Sequence, residues 1–175
     1  LHLPSPATRG LELIAPALAC GNAVVWTPAP TTAISGIALA ECIVEADLPP
    51  GVFNLVTGPG AVVGDELARN PGTHGIGFIG STANGRKDAQ AAAGKALVLE
   101  LGGNGPVVVL DDADLDAAAE ATVTACFLCA GQSCTAGKRL LVHRDVREAF
   151  VEKLARLVTE RVVLGDPFAD GTTLG

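Results

Sequence analysis

Short runs rich in Val, Ile and Leu alternate with helix-length amphipathic segments along nearly the whole chain. That alternation limits it to an α/β architecture. Residues 22–27 read as a strand stopped by Pro28 and Pro30, and Thr31 or Thr32 can cap a helix running to about Ala46. The stretch Leu48–Gly51 ends that helix, and residues 52–56 form a second strand. A glycine turn (Thr57, Gly58, Pro59, Gly60) then leads into a helix from Val62 to Arg69. Residues 75–79 form a third strand, followed by Gly80, Ser81, Thr82 and a helix to about Ala93, and residues 96–101 form a fourth strand. Strand and helix succeeding each other at this spacing imply parallel pairing through right-handed crossovers.

Gly102 and Gly103 interrupt the pattern and mark a domain boundary, giving regions 1–102 and 103–175. Beyond it come a strand at 106–110, an alanine-rich helix at 115–129, a strand at 139–143 and an amphipathic helix from Val146 to about Arg161. The whole is a Rossmann-like parallel sheet with flanking helices, plus the start of a second α/β domain. Such folds carry many functions, so the chemistry has to come from particular residues.

Composition narrows the field. Twelve Lys and Arg against nineteen Asp and Glu leave a net charge of −7, with no basic run. Nucleic acid and anionic membrane are therefore excluded as partners. No apolar stretch approaches the roughly 20 residues needed to span a bilayer. The opening residues Leu1–Pro6 lack the pattern of a signal peptide, and the absence of Met leads us to expect an excerpt of a longer product. A cytoplasmic location is the default expectation. Five cysteines at irregular spacing point to reduced thiols, one of them reactive, rather than a disulfide scaffold.

Two residues stand out. Cys134 follows Gly131, Gln132 and Ser133, where a helix breaks into a turn that can present a thiol to a cleft. Glu100 lies between Leu99 and Leu101 at the end of an apolar strand. Burial there would raise its pKa toward that of a general base working near neutral pH. Gly80 and Ser81 at a helix start offer backbone N–H groups and a hydroxyl to a pyrophosphate. Gly58, Gly60 and Gly64 fall one residue out of step with the usual dinucleotide fingerprint, so a plain turn explains them as well.

Glu100 with Leu101, Gly102 and Gly103, then Cys134 thirty-four residues on with Arg139 beyond it, resembles the aldehyde dehydrogenase superfamily. The segments 14–22, 48–54, 78–82 with Gly85, 99–103, 109–115 and 127–134 resemble it too, in the same order, so the resemblance covers essentially the whole chain. It implies an enzyme that oxidises an aldehyde to a carboxylic acid with NAD or NADP. Cys134 would be the nucleophile, forming a thiohemiacetal and then a thioester, and Glu100 would activate the hydrolytic water. The resemblance places Thr27, Pro28, Gly58, Gly60, Phe78, Gly80, Ser81, Gly85, Leu101 and Gly102 at the cofactor. It also implies a homodimer or homotetramer, and an oxyanion-hole Asn and a nicotinamide-ribose Glu that lie outside residues 1–175. This excerpt alone is then expected to bind cofactor poorly and turn over little. Thr27 and Pro30 stand where the family usually has Lys and Glu, which puts its ordinary NAD-versus-NADP rules in doubt here.

Three other readings compete, one of them a catalytically inactive fragment or scaffold. A superfamily member could pass its thioester to coenzyme A, though the presence of Glu100 favours hydrolysis. A thiol or zinc module could use Cys126, Cys129 and Cys134, but the first two fall within the expected helix, where core packing accounts for them. Asp111, Asp112, Asp114 and Asp116 read as ordinary partners of a helix N-terminus, not a cation site, and no metal is expected. Trp26 reads as core or cleft wall, and Lys138 and Arg139 as anchors for the loop after Cys134. His2, His74 and His143 have no triad partner at meaningful spacing.

Overall fold

The computed structural model describes residues 6–175; His2 lies outside them. The architecture is α/β, built from parallel strand pairs with helices between them. The chain divides into two compact units, the first ending at Gly102 and the second spanning Gly103–Gly175.

The first unit opens with α1 (Pro6–Ala19), for which the sequence reading made no assignment. Pro16 sits inside this helix and hid its continuity, because proline removes a backbone donor. Strand β1 (Val24–Trp26) then connects through α2 (Ala33–Glu45) to β2 (Phe53–Leu55), and β1 and β2 pair in parallel. Thr32 occupies the N-cap of α2, yet its side chain does not cap it. A 3-10 turn over Pro30–Thr32 precedes the helix, and the Thr32 hydroxyl donates back to the Ala29 carbonyl at 3.3 Å. After β2 comes α3 (Gly60–Arg69), whose end is bound by Lys95: its ammonium reaches the carbonyls of Ala68 (2.7 Å) and Asn70 (2.6 Å). A cation at a helix C-terminus satisfies carbonyls that have no partner within the helix. Strand β3 (Gly75–Ile79), helix α4 (Thr82–Ala91) and strand β4 (Ala96–Glu100) form the next parallel unit, with Ile79 opposite Glu100.

The second unit repeats the arrangement with β5 (Gly105–Val109), α5 (Leu115–Phe127), β6 (Gly137–Val142) and α6 (Arg147–Arg161). Strands β5 and β6 pair in parallel, with a register shift between Gly105 and Pro106. Val109, Ala119 and Phe150 are buried together, packed by Leu115, Val142, Leu154 and Leu157 among others. Helices α5 and α6 are also tied by Lys153 to Asp116 and by the Arg161 guanidinium gripping both oxygens of Glu120. No helix among the described residues is long and apolar enough to cross a membrane.

Candidate active site

In the second unit the nucleophile candidate is held by a short, unusual loop. Helix α5 stops at Phe127, two residues before the expected end, so Cys129 is not helical. Cys129 (φ 55, ψ 38), Ala130 (φ 57, ψ 33) and Gly131 (φ 70) instead form three consecutive left-handed residues. Only glycine adopts this conformation freely; each of the other two costs about 1–2 kcal/mol. Both Gln132 groups that can donate do so to the Cys129 carbonyl, the backbone N–H at 3.1 Å and the side-chain amide at 3.2 Å. Lys138 donates to the Gly131 carbonyl at 2.6 Å. Lys138 thus anchors the segment before Cys134, not the one after it.

Cys134 itself is the second residue of a turn closed by Ala136 N–H donating to Ser133 O at 3.1 Å. The Ser133 and Thr135 hydroxyls meet at 2.9 Å across the same turn. Cys134 is half-buried, and among the described residues its backbone N–H has no hydrogen-bond partner. One wall of the turn is Gly103. A Cβ there would lie 2.1 Å from the Cys134 carbonyl oxygen, a separation no side chain tolerates. Gly105 is similar, its Cβ position 2.9 Å from the Ala136 carbonyl oxygen. Arg139 closes the arrangement, with Nε and Nη2 donating to the Asn104 carbonyl at 3.1 and 2.9 Å. Gly103, Asn104 and Gly105 were not among the expected site residues. The density of glycine just after Glu100 was the available signal, since glycine marks close backbone approach.

The first unit holds Glu100 at the end of β4, where its backbone carbonyl accepts from Gly80 N–H at 2.9 Å. Its side chain is exposed, so the expectation of a buried carboxylate is not met. Ala96, Leu97 and Val98 of the same strand are exposed as well. The bond to Glu100 also uses the Gly80 N–H, which therefore belongs to the strand pairing.

Ser81 caps α4, its hydroxyl oxygen accepting from Asn84 N–H at 3.3 Å while its own hydrogen stays available. Neither α3 nor α4 has an acid in its first turn. Gly60 begins α3, exposed, with open space where its Cβ would be. Both helix starts therefore keep positive backbone ends for an anion, and the donor set suits a pyrophosphate. Gly58 abuts Val63, its Cβ position 2.7 Å from a Val63 methyl. Thr27 is half-buried at the end of β1, and the buried Pro28 ring fills the space beside Gly36. Phe78 is half-buried in β3, opposite Leu99. Gly85 is buried beneath Leu101, whose methyl carbon lies 2.3 Å from where a Cβ would stand, so both have a packing role. Gly102 is exposed.

Among the remaining candidates, Trp26 is a half-buried wall residue, its ring 6.4 Å from that of Phe53 and tight against Gly10 of α1. Asp114 caps α5 through bonds from Asp116 N–H (3.0 Å) and Ala117 N–H (3.1 Å). Cys126 and Cys129 are half-buried, and among the described residues no three His, Cys, Asp or Glu side chains converge as metal ligands.

Comparison with known proteins identifies the family. The pattern of the aldehyde dehydrogenase family matches residues 5–175. Alpha-ketoglutaric semialdehyde dehydrogenase of Bacillus subtilis (strain 168) is 46% identical over 172 residues, which cover 97% of this chain and 35% of that protein. Phenylacetaldehyde dehydrogenase of Pseudomonas fluorescens is likewise 46% identical, over 97% of this chain and 34% of its own length. A solved structure described as an E. coli NADP dependent enzyme superimposes with a TM-score of 0.90 at 42% identity, covering 97% of this chain and 36% of that one. The chain thus spans about a third of the length of the relatives it matches. With the family pattern running over residues 5–175 of this α/β chain, the chain belongs to the aldehyde dehydrogenase family.

Proposed function

We propose that this chain is the central part of an enzyme that oxidises an aldehyde to a carboxylic acid, with Cys134 as nucleophile and Glu100 as general base. One observation carries the reading most directly. Cys134 occupies a tight turn, its backbone N–H has no partner among the described residues, and that turn is backed by the Gly103 peptide.

The thiolate of Cys134 attacks the aldehyde carbon, and the new oxyanion accepts a hydrogen bond from the Cys134 N–H. NAD or NADP, when bound, supplies the acceptor for the hydride that leaves this carbon. The resulting acyl group is a thioester on Cys134. Glu100 takes a proton from water as that water adds to the thioester carbonyl; collapse expels the thiolate and releases the acid.

For the cofactor, Ser81 and the α4 start would hold the pyrophosphate, with Gly80 shaping the turn and Phe78 beside it. Gly58 and Gly60 at the α3 start, with Thr27 and Pro28 after β1, would face the adenosine half. Leu101 and Gly102 would border the nicotinamide end, and Gly85 would act by seating Leu101. On this reading residues 1–102 are part of the cofactor domain, 103–175 begin the catalytic domain, and the full-length enzyme is a dimer or tetramer.

The test is aldehyde-dependent NADH or NADPH formation by the full-length enzyme, beside Cys134→Ala and Glu100→Gln. Semialdehydes and arylacetaldehydes belong in the panel, since these are the substrate types in the relatives' names. Loss of turnover in both variants is the expected result. Glu100→Gln should still trap the acyl group on Cys134, detectable by mass. Turnover that survives Cys134→Ala would sink the mechanism.

A further inference from the structure

We infer that Lys138 is a positioning residue for the Cys134 nucleophile, acting through the left-handed loop that precedes it; the inference rests on the proposed role of Cys134. Three independent features converge on this lysine. The first is the register of β5 and β6: Gly105 pairs with Gly137, but Pro106 pairs with Arg139, so Lys138 is the extra residue of a β-bulge. Pro106 has no N–H to give the ladder, and a bulge opposite it releases Lys138 from pairing. A bulge also re-aims the side chain it carries, and this one reaches back seven residues to the Gly131 carbonyl at 2.6 Å.

The second feature is what Lys138 holds. Cys129, Ala130 and Gly131 are consecutively left-handed, and two of them are not glycine, so the loop does not keep this shape by backbone preference. The Gln132 bonds brace its start through the Cys129 carbonyl, and Lys138 braces its end. The third feature is the distance to the chemistry. Gly131 is three residues before Cys134, and Ser133 already belongs to the nucleophile's turn. Gly131 also has little room for a side chain, because a Cβ there would lie 3.0 Å from the Cys126 carbonyl oxygen. Arg139, the next residue of β6, ties Asn104, beside the Gly103 wall. The start of β6 therefore fixes the approach to Cys134, and Lys138 supplies the part that bears on the strained loop.

Positioning and thiol reactivity separate experimentally. Aldehyde turnover needs the sulfur aligned with carbonyl and hydride acceptor. Alkylation by iodoacetamide needs only an accessible thiolate. In the full-length enzyme, Lys138→Met should lower kcat/KM for aldehyde by about tenfold or more. Alkylation at Cys134, followed by peptide mass, should change by less than about threefold with an unmoved pH midpoint. Lys138→Arg, which keeps a long cationic donor, should recover most of the turnover. Gly131→Ala, which disturbs the same loop from the other side, should reproduce the selective loss.

Wild-type turnover in Lys138→Met would overturn the inference while leaving the aldehyde-oxidising reading intact. A shifted alkylation midpoint, or turnover and alkylation falling together, would assign Lys138 a charge or stability role and overturn it too. A wild-type enzyme inactive on every aldehyde would remove the functional reading and this inference with it.

Discussion

Helices α4 and α5 each follow a parallel strand and each start one βα turn, yet the two starts are built oppositely. At α4 the chain supplies Gly80 and Ser81 and no acid in the first turn. At α5 it supplies Asp114, which satisfies two backbone donors, and Asp116, which adds negative charge in the first turn. Every helix start presents unpaired N–H groups and a positive dipole end. The α5 start neutralises its own and is closed to anions. The α4 start, capped only by a neutral hydroxyl, leaves its positive end uncompensated by an acid in the first turn. The same backbone unit is thus self-neutralised in one place and left open in the other, and the side chains of a single turn decide which.

The contrast breaks most sharply at Ser81. Ser81→Asp retains a good N-cap, so the unfolding midpoint should hold, but it sets a carboxylate where a pyrophosphate would bind. NADH or NADPH titration of the full-length enzyme should show Kd rising about tenfold. Unchanged affinity would remove α4 from the cofactor site. Next comes the opposite change at α5: Asp114→Ala should cost about 1 kcal/mol, a fall of roughly 2–4 °C in Tm, with coenzyme affinity untouched.

The smallest effects concern how the two helices titrate. Asp88 of α4 has its carboxyl pushed up by desolvation and, secondarily, by the Asp65 charge. A raised folded-state pKa means that the protein is relatively favoured at low pH and loses this as pH rises through the folded value. Asp88→Asn should therefore stabilise slightly at pH 7, with the gain gone below the usual carboxylate range. Asp116 of α5 runs the other way. Its bond to Lys153, reinforced by the two charges, holds the carboxyl below its usual value. That contribution is present above the unfolded value and is lost as pH falls through the folded one. Lys153→Met should lower Tm near neutrality and leave it unchanged in strong acid. Melting curves across pH 2–7 (about the range where carboxylates titrate) would show the two slopes with opposite sign.

Much of the architecture was legible because its causes are local. Residues 75–79 were expected as a strand and are β3, since a short apolar run between a turn and a Gly-Ser helix start has few other outcomes. Helix α6 follows from its amphipathic spacing in the same way, starting one residue later than expected. Errors fell where neighbours overrule propensity. Alanine-rich sequence through Cys129 suits a helix, but α5 gives way at Phe127 to a left-handed turn held by Gln132 and Lys138. Glu100 sits in an apolar strand, yet apolar flanks describe composition, and exposure depends on what packs over the strand edge.

The sequence by itself determined the α/β order and the family, and it singled out Cys134 and Glu100 as the candidates for nucleophile and base, because hydrophobic period and motif spacing act along the chain. Only the tertiary structure decided that Gly103 must lack a side chain, that Lys138 bulges out of β6 to hold Gly131, and that Gly85 exists to seat Leu101. Each of these is a contact between residues far apart in sequence or across a broken register. Steric exclusion and hydrogen-bond geometry at such contacts are set by three-dimensional packing, which no local pattern encodes.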